Sequence, residues 1–480
     1  MPNRRELLTA ATALAAAPRV FAAARPASGP SWVSTSRTAP WQAQTGLQIG
    51  PVPANLFDID VVIAADAPAQ TMTGFGGAFS EKSWQALQIL PERARGEVLD
   101  ALFADSGAGF TMGRTPIGAN DMARGWYSYD ETPGDFALDH FSVDNDRTSL
   151  IPYLRAALER QPKMNIWASP WSPPTWMKTN GHYAQAPAWP GQPSNGLKPE
   201  QARHEGQDVF VQEDRYFDAY ARYFRRYVEA YRAAGVPVGM VMPQNEFNSA
   251  QPFPSCCWTP EGLARFIPHL GREMGQIGVD IFFGTLERGN ADLLSKVLAD
   301  PAAGPLIKGV GVQWAGKGAL AVIQSRHPTL TLWGSEQECG LGGNNWHYAR
   351  YGWQTMRQYF NAGASAWHYW NMVAQPGGWS GWGWPQNSLV TVDPVTRAYR
   401  FNPEYYLLKH LSAFVKPGAK RLPAVSFFGF ENQLAFKNPD GSVVIVAQND
   451  MSEPLRLRFK LDDKLITAVL PLDSFNTIVV

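Results

Sequence analysis

Cysteine is nearly absent, with 3 in a chain of 480 residues, too few for a disulfide-scaffolded fold. An excess of charge of either sign is missing too. Lys plus Arg (42) cancels Asp plus Glu (42), and charged residues make up only 18% of the chain. Nucleic acids and anionic membrane surfaces are bound by a clustered excess of cations, so the composition speaks against both partners. Beyond the first residues no segment has 18 uninterrupted apolar positions, so no stable membrane insertion is expected. There is no His-Glu-x-x-His, no paired Cys-x-x-Cys and no Gly-Lys-Ser/Thr phosphate loop, and the 8 His are scattered; no metal or cofactor is called for. Internal repeats are also lacking.

Apolar residues, by contrast, reach 45%, enough for a large core. The 18 Trp, 25 Phe and 16 Tyr are plentiful. Flat aromatic faces suit packing, and they suit the apolar C–H faces of sugars equally well. The length fits two or three domains, or one large barrel with an attachment. At the start, Arg4-Arg5 leads into an apolar run from Leu7 to Ala17, followed by the small residues Ala22-Ala23-Ala24. The run is too short to span a bilayer, so residues 1–24 are expected to be an export signal, of twin-arginine type, sending the chain to the periplasm or outside the cell.

The middle of the chain alternates short β-rich apolar runs with stretches of helical periodicity. Strands are expected at 72–78, 110–117, 164–169, 239–246, 280–285, 307–314, 329–336 and 365–371. Eight strand–helix units in succession predict an α/β fold, a closed (β/α)8 TIM barrel over residues 68–410. Tyr216, Tyr220, Tyr223, Tyr227 and Tyr231 recur at helical spacing along 214–234, as a buried face packed on the sheet would. The flanks, 30–67 and 411–480, carry strand-like runs, with Asn438-Pro439-Asp440-Gly441 as a turn. They are expected to form one small β-sandwich built from both chain ends, because a lone N-terminal hairpin would be marginal.

Active-site groups of such barrels project from the C-terminal strand ends. The expected fourth strand ends in Met242-Pro243-Gln244-Asn245-Glu246-Phe247 and the seventh in Leu332-Trp333-Gly334-Ser335-Glu336. A single Glu in such a place is as readily a rim salt bridge. Two, arriving at one mouth from nearly opposite sides, can face a glycosidic bond.

Further runs carry a family resemblance. They are Gly74-Phe75-Gly76-Gly77-Ala78-Phe79, Arg114-Thr115-Pro116-Ile117-Gly118, residues 127–136, the long run from Ala168-Ser169-Pro170-Trp171 through Pro174-Thr175-Trp176-Met177-Lys178-Thr179-Asn180-Gly181, and Trp370-Asn371. With Gln244-Asn245-Glu246 and Ser335-Glu336, the chain resembles glycoside hydrolase family 30, its glucosylceramidase-like branch. The resemblance implies that Glu246 is the general acid/base and Glu336 the nucleophile of a retaining β-glycosidase. It implies that Asn245 holds the sugar 2-hydroxyl, that Asp121 and Trp176 hold the non-reducing sugar, and that Trp370 lies under it. Arg114, Trp171 and Trp314 complete the implied substrate-binding set.

Some positions depart from the family pattern. Gln313-Trp314-Ala315 stands where relatives carry His-Trp-Tyr, so support for the nucleophile must come from elsewhere, and Tyr369 stands where some relatives have an acidic residue. Trp379, Trp382 and Trp384 in the loop 374–387 form either an aromatic glycan platform or a self-packed loop. The insertion 181–213 is expected at the same mouth. A bridge between Cys339 and one of the pair Cys256-Cys257 is conceivable across the rim. The expected activity is hydrolysis of β-glucosides, as oligosaccharide, polysaccharide or glycolipid, of glucosylceramidase or β-glucosidase type. Rivals are an endo-β-1,6-glucanase, a xylan, fucoside or galactan specificity, and a non-catalytic carbohydrate-binding protein.

Overall fold

A computed structural model describes residues 29–480, so the export-signal reading of residues 1–24 lies outside the described residues. Eight parallel strands close into a barrel: β1 Gly74–Ala78, β2 Met112–Ile117, β3 Asn165–Pro170, β4 Val238–Val241, β5 Asp280–Leu286, β6 Ile307–Gln313, β7 Thr331–Glu336 and β8 Ala366–Asn371. Helices lie between them, and β8 pairs with β1 to shut the ring. The fold is the TIM barrel, with a β-sandwich attached.

The interior is plugged by large side chains. Met112, Trp167, Met240, Met242, Phe282, Trp333 and Ala366 form one buried cluster, and glycines make room for them. A Cβ on Gly311 would lie 2.5 Å from the Met242 methyl, and one on Gly309 would lie 2.4 Å from the Phe282 ring. His368 is fully buried beside this plug, accepting from Trp167 Nε1 at 2.9 Å, with its Nδ1 2.9 Å from the Gly334 carbonyl. Burial pushes its pKa down to about 3, so it sits there as a neutral ring.

The tyrosine stripe packs as a core face. On the helix Asp214–Ala233, Tyr220, Tyr223, Tyr227 and Tyr231 are buried and Tyr216 partly so. Tyr231 donates to the buried Asp146. Gly235, with φ +83°, follows the end of this helix in the left-handed conformation that favours glycine there.

The sandwich draws on both flanks. One sheet runs Lys420–Leu422, Gln433–Lys437, Val443–Asn449, Ser474–Val479, Ser31–Ser36, Gln42–Ala43; the other runs Ala424–Val425, Val61–Ile63, Leu455–Leu461, Lys464–Leu470, Gln48–Pro51. In Leu455–Leu461 the alternation is plain: Leu457, Phe459 and Leu461 are buried, while Arg456, Arg458 and Lys460 alternate with them facing out. The turn at Asn438–Gly441 closes with Gly441 N–H donating to the Asn438 carbonyl at 3.0 Å. The helix Pro403–Ser412 joins the two bodies, because the buried His410 sits between Thr35 and Thr477, 2.9 Å from each hydroxyl.

Between β1 and β2 the backbones come too close for any side chain at Gly76, where a Cβ would lie 1.8 Å from the Met112 carbonyl oxygen. Gly76→Ala should therefore cost at least about 3 kcal/mol, measured by urea denaturation; an unchanged midpoint would contradict this packing.

Candidate active site

The last inward side chains of the strands meet at one mouth. At its centre is Arg114, which has no exposure to solvent. Its guanidinium donates to Glu336 Oε2 at 2.6 Å, Asn245 Oδ1 at 2.6 Å and Ser169 Oγ at 3.1 Å. The rings of Trp171, Trp167 and Trp370 lie 4.5, 4.9 and 5.5 Å from it, and Trp171 stacks on Trp370 at 5.4 Å. A guanidinium is the cation best suited to such a place, being planar, weakly hydrated and attracted to aromatic faces.

Glu336 ends β7. Besides Arg114 it accepts from Trp314 Nε1 at 2.7 Å and from Gln313 Nε2 at 3.1 Å. Ser335 donates to Gln313 Oε1 at 3.0 Å, which turns the amide nitrogen toward the carboxylates. The same Nε2 lies 3.3 Å from Glu246 Oε1. One amide nitrogen thus touches both glutamates, and the two oxygens it meets are no further apart than the sum of those contacts. That bound admits the about 5–5.5 Å separation of retaining glycosidases.

Glu246 does not sit on its strand. β4 ends at Val241, not at 246 as the sequence pattern suggests, because Pro243 has no N–H for the ladder. The chain then turns, and Glu246 takes φ +46°; Trp314 takes φ +49°. Left-handed backbone at a residue other than glycine costs about 1–3 kcal/mol. It is held here by Glu246 N–H donating to Thr285 Oγ1 at 2.8 Å and by the Trp314–Glu336 bond.

Surroundings divide the two acids. Burial raises the pKa of Glu246 well above the ordinary carboxyl range, and the nearby charges of Glu287, Glu336 and Asp121 raise it further. Burial raises Glu336 as well, but Arg114, Trp314 and Gln313 oppose that rise. One group is favoured as the acid and the other as the anion. Asp121, buried at the same mouth, accepts from Gln386 Nε2 at 2.9 Å. Burial pushes its pKa up to about 7, with the Gln386 bond working against the rise and the Glu336 charge adding to it.

The structure therefore brings together Arg114, Asn245, Glu246, Trp314 and Glu336, with Trp171 and Trp370 against the guanidinium and Asp121 nearby. Trp176 lies apart from the Trp171–Trp370 cluster. Its indole donates to the Asp130 carbonyl at 3.0 Å and its ring meets Phe136 at 5.3 Å and Tyr216 at 6.0 Å. Tyr369 faces away from the mouth, fully buried in the main hydrophobic core with Phe360 and Trp367. The loop 374–387 packs against the insertion 181–213: Trp384 lies 5.5 Å from Trp314 and 6.2 Å from Trp189, and Trp382 donates to Tyr183 Oη at 3.2 Å. Trp379 remains 52% exposed.

A cysteine bridge does not form. Cys256, Cys257 and Cys339 are all free and buried; the first two belong to the main core and Cys339 to the cluster around Trp171 and Trp370. Sequence reasoning missed Gln313, Ser169, Thr285 and Gln386 as parts of the site. Only Gln313 carried a signal, as the residue standing in for the family's His at the end of β6.

Comparison with known proteins follows the same division. The model of the glycosyl hydrolase family 30 TIM-barrel domain matches residues 72–415, and that of the family 30 beta sandwich domain matches 418–478. The lysosomal acid glucosylceramidase of Mus musculus is 28% identical over 442 residues, covering 86% of this chain and 81% of the relative. The endo-1,6-beta-D-glucanase of Neurospora crassa is 26% identical over 406 residues, covering 79% of each. Among solved structures, SrfJ from Salmonella typhimurium superposes with a TM-score of 0.82 at 23% identity, covering 94% of this chain and 99% of that one.

Trp314→Phe keeps the ring and removes one N–H donor from Glu336. Losing a donor to an anion raises the anion's pKa, so the acid limb of the kcat/KM–pH profile should move upward by roughly one unit. An unmoved limb would separate Trp314 from the charge state of Glu336.

Proposed function

The chain belongs to glycosyl hydrolase family 30, and from that premise we infer that it is a retaining hydrolase of β-glucosides in which Glu336 is the nucleophile and Glu246 the general acid/base. The observation that carries this reading is the single Gln313 amide nitrogen within 3.1 Å of Glu336 and 3.3 Å of Glu246, which keeps the pair within the reach of double displacement.

The electrostatics support a two-step cycle. In the first step a Glu336 oxygen attacks the anomeric carbon while Glu246 gives its proton to the departing glycosidic oxygen, leaving a glycosyl ester. Ester formation removes the charge of Glu336, one of the charges that raise the Glu246 pKa. Glu246, having given up its proton, then stays ionised and available as the base; it takes a proton from water, and the hydroxyl displaces Glu336 from the sugar. Asn245 Oδ1 is taken up by Arg114, Thr285 and Gln313, which leaves its Nδ2 as the end that can donate to a sugar hydroxyl. Asp121, Trp171, Trp176 and Trp370 are proposed to hold the sugar itself.

Glucosylceramidase or β-glucosidase action is the preferred specificity, in line with the mouse relative's name. Endo-β-1,6-glucanase action is the second reading, favoured by the aromatic line Trp189–Trp384–Trp314 running from the insertion to the nucleophile's donor and by the Neurospora relative's name. Arg4-Arg5 and the apolar run behind it support export, and N-terminal sequencing of the mature protein would check that cleavage.

Glu246→Gln should lower turnover of unactivated glucosides by roughly 100- to 10,000-fold while substrates with a good leaving group keep far more of theirs; equal losses would contradict the acid assignment. Proton NMR of the first product should show the β anomer, and an α product would refute double displacement. Product analysis on aryl β-glucosides, glucosylceramide and β-1,6-glucan separates the two specificities: glucose alone from the first two supports the preferred one, and oligosaccharides from glucan the second.

A further inference from the structure

Behind the mouth lies a second buried acid with no part in the cycle above. Glu404 sits in the first turn of the helix Pro403–Ser412 and has no exposure to solvent. Its two oxygens accept from two different amides, Gln337 Nε2 at 2.9 Å and Asn387 Nδ2 at 3.0 Å. The Tyr369 hydroxyl lies close by without meeting hydrogen-bond geometry. Burial raises the Glu404 pKa to about 8, and the amide donors oppose that rise.

Both amides are locked in orientation by third groups. Trp367 Nε1 donates to Gln337 Oε1 at 2.9 Å, and Asn344 N–H donates to Asn387 Oδ1 at 3.2 Å. Each amide must therefore present its NH2 end to Glu404, which calls for an acceptor at both oxygens. A carboxylate supplies that, and the helix N-terminus favours its charge. Glycines clear the space: a Cβ on Gly340 would lie 2.7 Å from Asn387 Nδ2, and one on Gly352 would lie 3.1 Å from Gln337 Nε2.

The two amides belong to the two segments that shape the sugar site. Gln337 directly follows Glu336. Asn387 directly follows Gln386, whose side chain donates to Asp121 and accepts from Asn371. The Asn387 N–H in turn donates to the Cys339 carbonyl, stitching the same two segments a second time.

We propose that Glu404 is a positioning residue, a buried carboxyl whose two oxygens tie the segment carrying Glu336 to the loop whose Gln386 holds Asp121, and so fix the nucleophile relative to the sugar. The proposal rests on the reading of Glu336 as nucleophile. Glu404 touches no substrate and acts through Gln337 and Asn387.

An amide swap tests it. Glu404→Gln sets an NH2 group against one of the two locked NH2 groups. Adding Gln337→Glu restores every bond: the carboxylate now at position 337 accepts from Trp367 and from the amide now at position 404, whose own oxygen accepts from Asn387. Steady-state kinetics on an aryl β-glucoside, the rate of covalent trapping by a 2-deoxy-2-fluoroglucoside, and melting curves are recorded for the full chain. Glu404→Gln should stay folded and lose kcat and trapping rate by roughly 10- to 100-fold, with KM changing far less. The double variant should recover most of that loss. A folded Glu404→Gln with unchanged kcat overturns the proposal, as does a folded double variant no faster than the single one. If Glu404→Gln does not fold, the double variant decides alone, folded and fast in support, anything else against. Peptide mapping of the trapped unaltered enzyme separates the two readings: a label away from Glu336 sinks the nucleophile assignment, whereas a label on Glu336 with indifferent variants sinks only the tie.

Discussion

A cation that cannot reach water must be surrounded by partners it cannot lose, and Arg114 sets that condition for the whole mouth. Its charge is met by Glu336, its other terminal nitrogen by Asn245 and Ser169, and its flat faces by three tryptophans, while Nε has no hydrogen-bond partner. Removing one partner of such a buried pair typically costs about 3–5 kcal/mol, so the side chains around it are held in place by more than packing. The same contacts separate the two glutamates chemically. Glu336 has a guanidinium, an indole and an amide to keep it charged, while Glu246 has one long amide contact and several negative neighbours. Two carboxyls of like chemistry are thus given unlike surroundings by what one arginine can and cannot reach.

Much of this was legible in the sequence. Each of the eight β-rich runs became a barrel strand, because a buried parallel strand needs a short apolar run and little else. The helical tyrosine stripe and the Asn-Pro-Asp-Gly turn were local signals and were read locally. What stayed hidden was long-range. Gln313 supports Glu336 in place of the missing His-Trp-Tyr pattern, but nothing in a single glutamine says which way its amide will be turned; Ser335 decides that from the neighbouring strand. Tyr369 occupies a position where some relatives carry an acid, and nothing local says that it turns into the core, beside the buried Glu404 of the helix Pro403–Ser412. The end of β4 was misjudged and the fate of the cysteines left open for similar reasons. A proline stopped the ladder early, and thiols on neighbouring loops were packed into separate cores.

Tryptophan abundance also divides into parts that composition cannot separate. Trp167 and Trp333 plug the barrel. Trp171 and Trp370 face a guanidinium. Trp314 spends its indole hydrogen on Glu336, and Trp382 and Trp384 knit the aromatic loop to the insertion opposite. Only Trp379, at 52% exposure, is left largely open to solvent. The inner rings of that loop are therefore self-packed and the outer one is exposed.

The sandwich has a consequence for biosynthesis. Its strand Ser31–Ser36 hydrogen-bonds along its whole length to Ser474–Val479, and Trp32 reaches Asn476 across 444 residues. A ribosome delivers the first of these strands long before the second, so the edge that meets Ser474–Val479 must wait without its partner while the barrel residues emerge. The small domain can be completed only after the residues of the barrel between its two halves have been made.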